Sequence, residues 1–195
     1  MQRQQQPELI IIAGANGVGK TTFATSYAQD LQYQFLNADE IAKELETKGF
    51  DQPMLKAGRE FFGRLNKGLS SKENIIVETT LSGTYINKVA SRSKTRGYSV
   101  QIIYIFVDNA AICIDRVRTR VMKGGHDVPI EDIKRRFSRS LLNFWNNFTE
   151  LADMWILLYN GDENYEQVAI GGKTEFSIEH NSLFSRFNNI IKNVK

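Results

Sequence analysis

The segment Gly14-Ala15-Asn16-Gly17-Val18-Gly19-Lys20-Thr21 limits the possible folds of this chain more than any other. It comes after the apolar run Leu9–Ala13 and precedes a stretch with helical character up to Leu31. Buried strand, glycine turn and helix, in that order, match the G-x-x-x-x-G-K-[ST] phosphate loop in full. Glycine lets the backbone wrap a phosphate without Cβ clashes, and the helix start adds unpaired N–H groups and the positive end of the dipole. Gly14, Asn16, Gly17, Val18 and Gly19 supply the wrapping backbone. Lys20 reaches the β- and γ-phosphates, and Thr21, with Thr22 next to it, offers a hydroxyl to Mg²⁺. The pattern predicts a bound nucleoside triphosphate, ATP or GTP, with Mg²⁺.

Beyond Leu31 the chain alternates strand and helix. YQFLNADE, ENIIVETT, YSVQIIYIFVDN and MWILLYN read as further strands, separated by amphipathic stretches at Pro53–Leu69, Tyr85–Arg96, Ala110–Lys123 and Pro129 to about Thr149. Such alternation implies right-handed crossovers and a mainly parallel sheet. The expected fold is α/β: a three-layer P-loop NTPase or kinase fold with a five-stranded, mostly parallel sheet flanked by helices. It carries an arginine-bearing lid hinged at 123–129 and a C-terminal β-hairpin and helix over 160–195. Residues 1–195 are read as one domain, with a flexible tail at 1–7. The hairpin is expected to turn on Gly171-Gly172. In this architecture ligands gather at the carboxyl ends of the strands, so the polar residues ending each strand are the candidates for chemistry.

Asp39 ends the second strand. It either caps the next helix, a task Asn37 could also perform, or accepts the proton of a hydroxyl attacking a γ-phosphate. Beside a phosphate loop the second role is favoured. Glu78 ends the third strand, which in P-loop kinases commonly neighbours the first. Thr79, Thr80 and Ser82 come after it. Glu78 is expected to orient Mg²⁺ through water or to hold substrate hydroxyls. Asp108, ending the fourth strand, is ranked below Glu78 and read as a helix cap.

Charge is ordinary overall, 25 Lys and Arg against 22 Asp and Glu, yet residues 111–140 hold eight of those cations and four of the anions. At helical spacing Arg116 and Arg120 share one face, continued by Lys123. Beyond Gly124-Gly125, Arg135 and Arg136 lie off an apolar stripe of Ile130, Ile133, Phe137, Leu141, Phe144 and Phe148. Asp132 is placed to pair with Arg136. Two arginine-bearing faces around a glycine break suggest a lid that brings guanidinium groups to the transferring phosphoryl group. Cys113, the only cysteine, excludes an intramolecular disulfide and reads as a core thiol, as Trp145 and Trp155 read as core rings. His126 and His180 fall in no motif that assigns them chemistry.

Other classes are disfavoured. A net charge of +3 gives little footprint for nucleic acid. No apolar run reaches the ~18 residues of a membrane span, and MQRQQQPE carries no hydrophobic signal region. A cytoplasmic location is expected.

Taken with NADE, ETTLSG and GGHDVPIEDIKRRFSRSL, the phosphate loop gives a chain that resembles the zeta-toxin-like P-loop kinases. The likeness is to the small bacterial branch often labelled predicted ABC-type ATPases, and it runs from about Glu8 to Asn160. Zeta toxins phosphorylate UDP-N-acetylglucosamine and are held in check by an antitoxin protein. The resemblance implies Lys20 and Thr21 as nucleotide and Mg²⁺ contacts, Asp39 as base, and Glu78 with Thr80 facing the acceptor. It places the lid arginines among Arg116, Arg120, Arg135 and Arg136. The spacing in the lid differs from that of the true toxins, so the arginines carry over by role only. Function is expected to be transfer of a γ-phosphate to a hydroxyl of a small acceptor. The alternatives are an NTP-hydrolysing switch acting through a protein partner and, third, a polynucleotide end kinase.

Overall fold

The structure is a computed structural model that describes residues 6–161 and 164–194. Strand β1 (Glu8–Ala13) leads through the glycine loop to α1 (Lys20–Leu31), then β2 (Gln34–Leu36), α2 (Ala38–Thr47), α3 (Pro53–Ser70) and β3 (Ile75–Thr79). Helix α4 (Tyr85–Thr95), β4 (Ser99–Phe106), α5 (Ala110–Met122) and α6 (Ile130–Asn143) come next. A π turn (Phe144–Phe148) joins α6 to a short α7 (Thr149–Leu151). The chain then forms β5 (Met154–Asn160), β6 (Tyr165–Gly171), β7 (Phe176–Ile178) and α8 (Asn181–Val194). Most of the expected tail, residues 1–5, lies outside the described residues. Gln6 and Pro7 are tied down: Gln6 donates to the Gly97 carbonyl at 3.2 Å and Ser99 N–H to the Pro7 carbonyl at 2.9 Å.

The strands form one sheet in the order β2-β3-β1-β4-β5-β6-β7. Strands β1 to β5 run parallel, while β6 and β7 are antiparallel additions. The sheet therefore has seven strands rather than the expected five, because the C-terminal hairpin continues it instead of standing apart. The hairpin turn also differs. Gly171 belongs to β6, and the turn closes from Gly172 N–H, which donates to the Glu175 carbonyl at 2.9 Å. A Cβ on Gly171 would come within 2.5 Å of the Trp155 ring. This glycine makes room for packing rather than for a turn.

In β1, the middle one of the five parallel strands, no residue from Leu9 to Ala13 is more than 1% exposed. A strand buried on both faces requires helices on both sides, and each such aliphatic side chain contributes roughly 1.5–3 kcal/mol by leaving water. Of the expected stripe on α6, Ile133, Phe137, Leu141, Phe144 and Phe148 are buried. Ile130, at the first turn, is 40% exposed, because Val128 before it takes the inward position. The π turn sits where aromatic rings crowd: Phe144 stacks on Tyr104 at 4.4 Å and meets Trp155 edge-on at 6.0 Å.

Candidate active site

Register sets the site. Glu78 of β3 pairs with Ile12 and Thr79 with Ala13, so the end of β3 lies level with the start of the glycine loop. Leu36 of β2 pairs with Val77, which brings Asn37 level with Glu78. The sequence order alone could not supply this register.

The loop is held in a left-handed turn at Gly17 and Gly19, φ 82 and 93. A Cβ on Gly17 would lie 2.5 Å from the Cys113 carbonyl of α5, and one on Gly19 would lie 2.4 Å from the Asn160 amide. Glycine at these two positions thus satisfies both dihedral and close approach. Inside the loop, Lys20 is buried and its ammonium donates to the Ala15 carbonyl at 2.9 Å. The Glu78 carboxylate stands 3.8 Å away. Thr21 Oγ1 donates to Glu78 Oε1 at 3.1 Å, and Asn37 Nδ2 donates to Glu78 Oε2 at 2.5 Å. Burial lowers the Lys20 pKa and raises that of Glu78, each shift opposed by the charge of the other. Both groups are desolvated more than they are compensated, and both would gain from a polyanion with its cation.

Asn37 resolves the ambiguity at the second strand end. Its side chain caps α2, accepting from the N–H groups of Asp39 at 2.7 Å and Glu40 at 3.3 Å. Asp39 is not the cap. Its carboxylate sits exposed on the first turn of α2 and lines the same cavity as Lys20, Thr21, Glu78, Thr80 and Arg120. After β3, Leu81 is wholly buried with φ 56, a conformation costly for a branched residue. Two contacts hold it: Leu81 N–H donates to Thr79 Oγ1 at 3.1 Å, and Asn143 of α6 donates to its carbonyl at 2.7 Å. The threonine loop is thus fastened to the arginine-bearing helix. Thr80 shares a hydrogen bond with Ser82 at 3.0 Å.

The arginines divide. Arg136 Nη1 donates to Asn16 Oδ1 in the glycine loop at 3.3 Å, with Asp132 at 3.5 Å. Arg120 donates to the His126 carbonyl at 2.7 Å, while its Nε is buried without a hydrogen-bond partner among the described residues. Arg116 donates to the Gly161 carbonyl at 2.5 Å. Arg135 is exposed and held by Asp132 at 2.8 Å, so Asp132 pairs chiefly with Arg135 and only more distantly with Arg136. The structure gathers Arg116 and Arg120 at the loop cavities and joins Arg136 to the loop through Asn16, but leaves Arg135 on the solvent side. Gly124 and Gly125 close α5: Gly124 has φ 82, and Gly125 N–H donates to the Arg120 carbonyl at 2.9 Å.

Two cavities meet here. One of about 620 Å³ is lined by the glycine loop, Thr22, Arg116, Lys123, Asn160 and Tyr165. The other, about 310 Å³, lies between Asn37, Asp39, Glu78, Thr80 and helix α3. Lys20, Thr21 and Arg120 line both. The first is the loop-side cavity and the second the α3-side cavity.

Two contacts to the glycine loop have no motif to mark them. Asn160, ending β5, donates to the Val18 carbonyl at 2.8 Å, and Tyr165, opening β6, donates to the Gly19 carbonyl at 2.8 Å. The only available signal was position, since Asn160 is a polar residue at a strand end. Asp108 is not a helix cap; Asn109 caps α5 by accepting from Ile112 N–H at 3.1 Å. Asp108 instead receives Tyr159 OH at 2.7 Å and Arg186 of α8 at 3.1 Å. Cys113 is fully buried, which pushes its thiol up to about 12. His126 and His180 are exposed.

The donors beside Lys20 fit a magnesium ion shared with a nucleotide. Thr21 and Glu78 are hard oxygen groups in contact, and the carboxylate is short of positive charge. No group of three His, Cys, Asp or Glu that could hold a metal by itself occurs among the described residues. Magnesium ordinarily takes one or two protein oxygens and completes its shell from phosphates and water. No helix among the described residues is long and apolar enough to cross a membrane.

Comparison with known proteins agrees with the fold. The profile of the AAA domain family matches residues 9–139. An uncharacterized protein of Haemophilus influenzae is 29% identical over 132 residues, covering 68% of this chain and 94% of its own. The structure of AvrRxo1-ORF1:-ORF2 with ATP superposes with TM-score 0.69 at 18% identity, covering 93% of this chain and 63% of that one. A structure from the PezAT chromosomal toxin–antitoxin system of Streptococcus pneumoniae gives 0.66 at 18% identity, covering 99% and 84%. A gluconokinase of Sinorhizobium meliloti gives 0.51 at 13% identity, covering 98% and 97%. At such identities the structural likeness speaks for the fold, a kinase-like P-loop sheet flanked by helices. The profile match spans well over half of the chain, and the protein belongs to the AAA domain family.

Proposed function

We propose that the protein is a Mg²⁺-dependent phosphotransferase that moves the γ-phosphate of ATP or GTP to a hydroxyl of a small acceptor. The observation that carries this reading is the meeting of two cavities at Lys20, Thr21 and Arg120, with Asp39 on the α3 side alone. A site for hydrolysis alone needs no second cavity with its own base.

In this reading the loop-side cavity takes the donor nucleotide and the α3-side cavity the acceptor. The backbone from Gly14 to Thr22 cradles the phosphates, and Lys20 exchanges its carbonyl contact for phosphate oxygens. Thr21 and Glu78 would hold magnesium, which supplies positive charge against the phosphate oxygens. Asp39 takes the proton of the acceptor hydroxyl as its oxygen bonds to the γ-phosphorus. The bond from that phosphorus to the β–γ bridging oxygen breaks, and the nucleoside diphosphate leaves. Thr80 orients the acceptor. Arg120, whose Nε has no hydrogen-bond partner among the described residues, and Arg136 stabilise charge on the transferring group, and Arg116 borders the donor phosphates. Residues 123–129, between α5 and α6, act as the hinge of a lid in which the two arginine-bearing helices close over the transferring group.

Incubation of the protein with Mg²⁺, γ-labelled ATP or GTP and a panel of hydroxyl compounds tests this. Label is expected on a small acceptor. Release of inorganic phosphate with no labelled acceptor would point instead to a nucleotide-driven switch.

A further inference from the structure

The α3-side cavity has an end that phosphoryl transfer does not use. Its charged lining consists of Lys20, Asp39, Glu78 and Arg120. Both cations also line the loop-side cavity, so the positive charge is confined to the junction. Beyond the junction the wall is Phe61, Phe62, Tyr85 and Ile86. The rings of Phe62 and Tyr85 lie 4.2 Å apart, and Phe61 meets Phe62 edge-on at 5.2 Å. Tyr85 remains 44% exposed.

Two glycines complete that wall, Gly58 in α3 and Gly83 in the loop after β3. A Cβ at either would meet nothing within 4 Å, and neither has a positive φ. The fold requires glycine at neither position, and a glycine inside a helix is less stable there than alanine. What the missing side chain at Gly58 provides is room in the cavity.

We infer that the acceptor is an uncharged ring compound bearing the reacting hydroxyl, a free sugar or a nucleoside, whose ring packs on Phe62 and Tyr85 in the space left at Gly58. The inference rests on the phosphotransferase reading. Sugars and bases share the feature that matters, a neutral face (the C–H face of a sugar ring, the π face of a base) that packs on aromatic rings. A phosphate or diphosphate on the remote end would call for cations of its own. Among the described residues of this wall there are none, and Asp39 and Glu78 add negative charge. In the hollow past Asp39, Lys43 is accompanied by Glu46. This departs from the sugar nucleotide that the family resemblance implies.

The test uses the full chain with Mg²⁺ and γ-labelled ATP, offering glucose and uridine against UDP-glucose and glucose phosphate. Transfer to glucose or to uridine is expected in preference to the two anionic compounds, and the pair separates the sugar from the nucleoside. Gly58→Leu should lower kcat/KM for the preferred acceptor by more than about tenfold while leaving ATP affinity within about twofold. Gly58→Ala guards against misfolding, and Gly63→Ala is its control. Gly63 lies on the same helix, is exposed, and likewise has room for a Cβ. Both alanine variants should raise Tm by about 2–4 °C, but only Gly58→Ala should raise the acceptor KM. Preference for UDP-glucose or glucose phosphate, or equal effects of the two alanine variants on transfer, overturns the inference and leaves the phosphotransferase reading standing. ATP hydrolysis without transfer to any of the four overturns the inference, and it overturns the phosphotransferase reading as well only if the wider panel of hydroxyl compounds also stays unlabelled.

Discussion

Glu78 governs the charge balance of the site. Burial raises its pKa in the folded protein above the ordinary glutamate value of 4.5, so between those two values the folded chain binds the extra proton. Unfolding free energy therefore falls as pH rises through that window. Melting temperatures of the nucleotide-free protein should decline across it, and Glu78→Gln should flatten the decline. Mg²⁺ with nucleotide should do the same, because a bound cation favours the ionised carboxylate. An unchanged slope in Glu78→Gln would show that another group titrates there. Arg120 and Arg136 carry a different expectation. Replacing either by alanine should lower kcat by about tenfold to a thousandfold while ATP affinity changes little, since their charge matters most as it spreads in transfer. Equal losses in kcat and affinity would assign them to ground-state binding. At this level the sequence is only partly readable. Asp39 could be cap or base, and what distinguishes the two is the contact of Asn37 with two N–H groups. The division of the arginines is equally hidden, because Asp132 holds Arg135 and leaves Arg136 to reach Asn16.

The end of β5 and the start of β6 brace the phosphate loop. Asn160 and Tyr165 each hold one loop carbonyl, and the Tyr165 ring also meets Phe23 of α1 at 5.1 Å. Tyr165→Phe removes one of these bonds with little change in shape. It should weaken nucleotide affinity by about 0.5–1.5 kcal/mol, or about two- to tenfold, by isothermal titration. No change would mean that the loop is rigid without the clamp. Hydrophobic periodicity distinguishes strand from helix well, so the alternation of β1 to β5 with helices is visible in the sequence; the adjacency of β3 to β1 is expected only from the strand order common in P-loop kinases. Periodicity says nothing about what a hairpin attaches to. The two glycines at 171 and 172 look like a turn because the Trp155 ring packed against the first of them is 16 residues away in the chain. Leu81 is another case of tertiary override. Its left-handed backbone is held by Asn143, a contact between loop and helix that no local pattern predicts.

Across the whole molecule, the sheet carries the phosphate loop at its centre, and elements from both halves of the chain close on it. Ligand binding should therefore stabilise the entire fold. At a concentration of about 100 times Kd, Mg²⁺–ATP should add about 2.7 kcal/mol, raising Tm by roughly 5–10 °C for a domain of this size. Lys20→Ala should abolish that rise; persistence of the full shift would place the nucleotide elsewhere. The strand-ending polar residues are legible as a set, because parallel sheets collect them at one edge. Their division between the loop-side and α3-side cavities is not, since it depends on where α3 and the arginine helices lie. That division is probed by single-turnover transfer of labelled γ-phosphate in Asp39→Asn, with ATP affinity measured on the same sample. Transfer should fall by about 10²- to 10⁴-fold while ATP affinity stays within about twofold. Undiminished transfer, or transfer and ATP binding lost together, would contradict the assignment of Asp39 as the base that serves the acceptor.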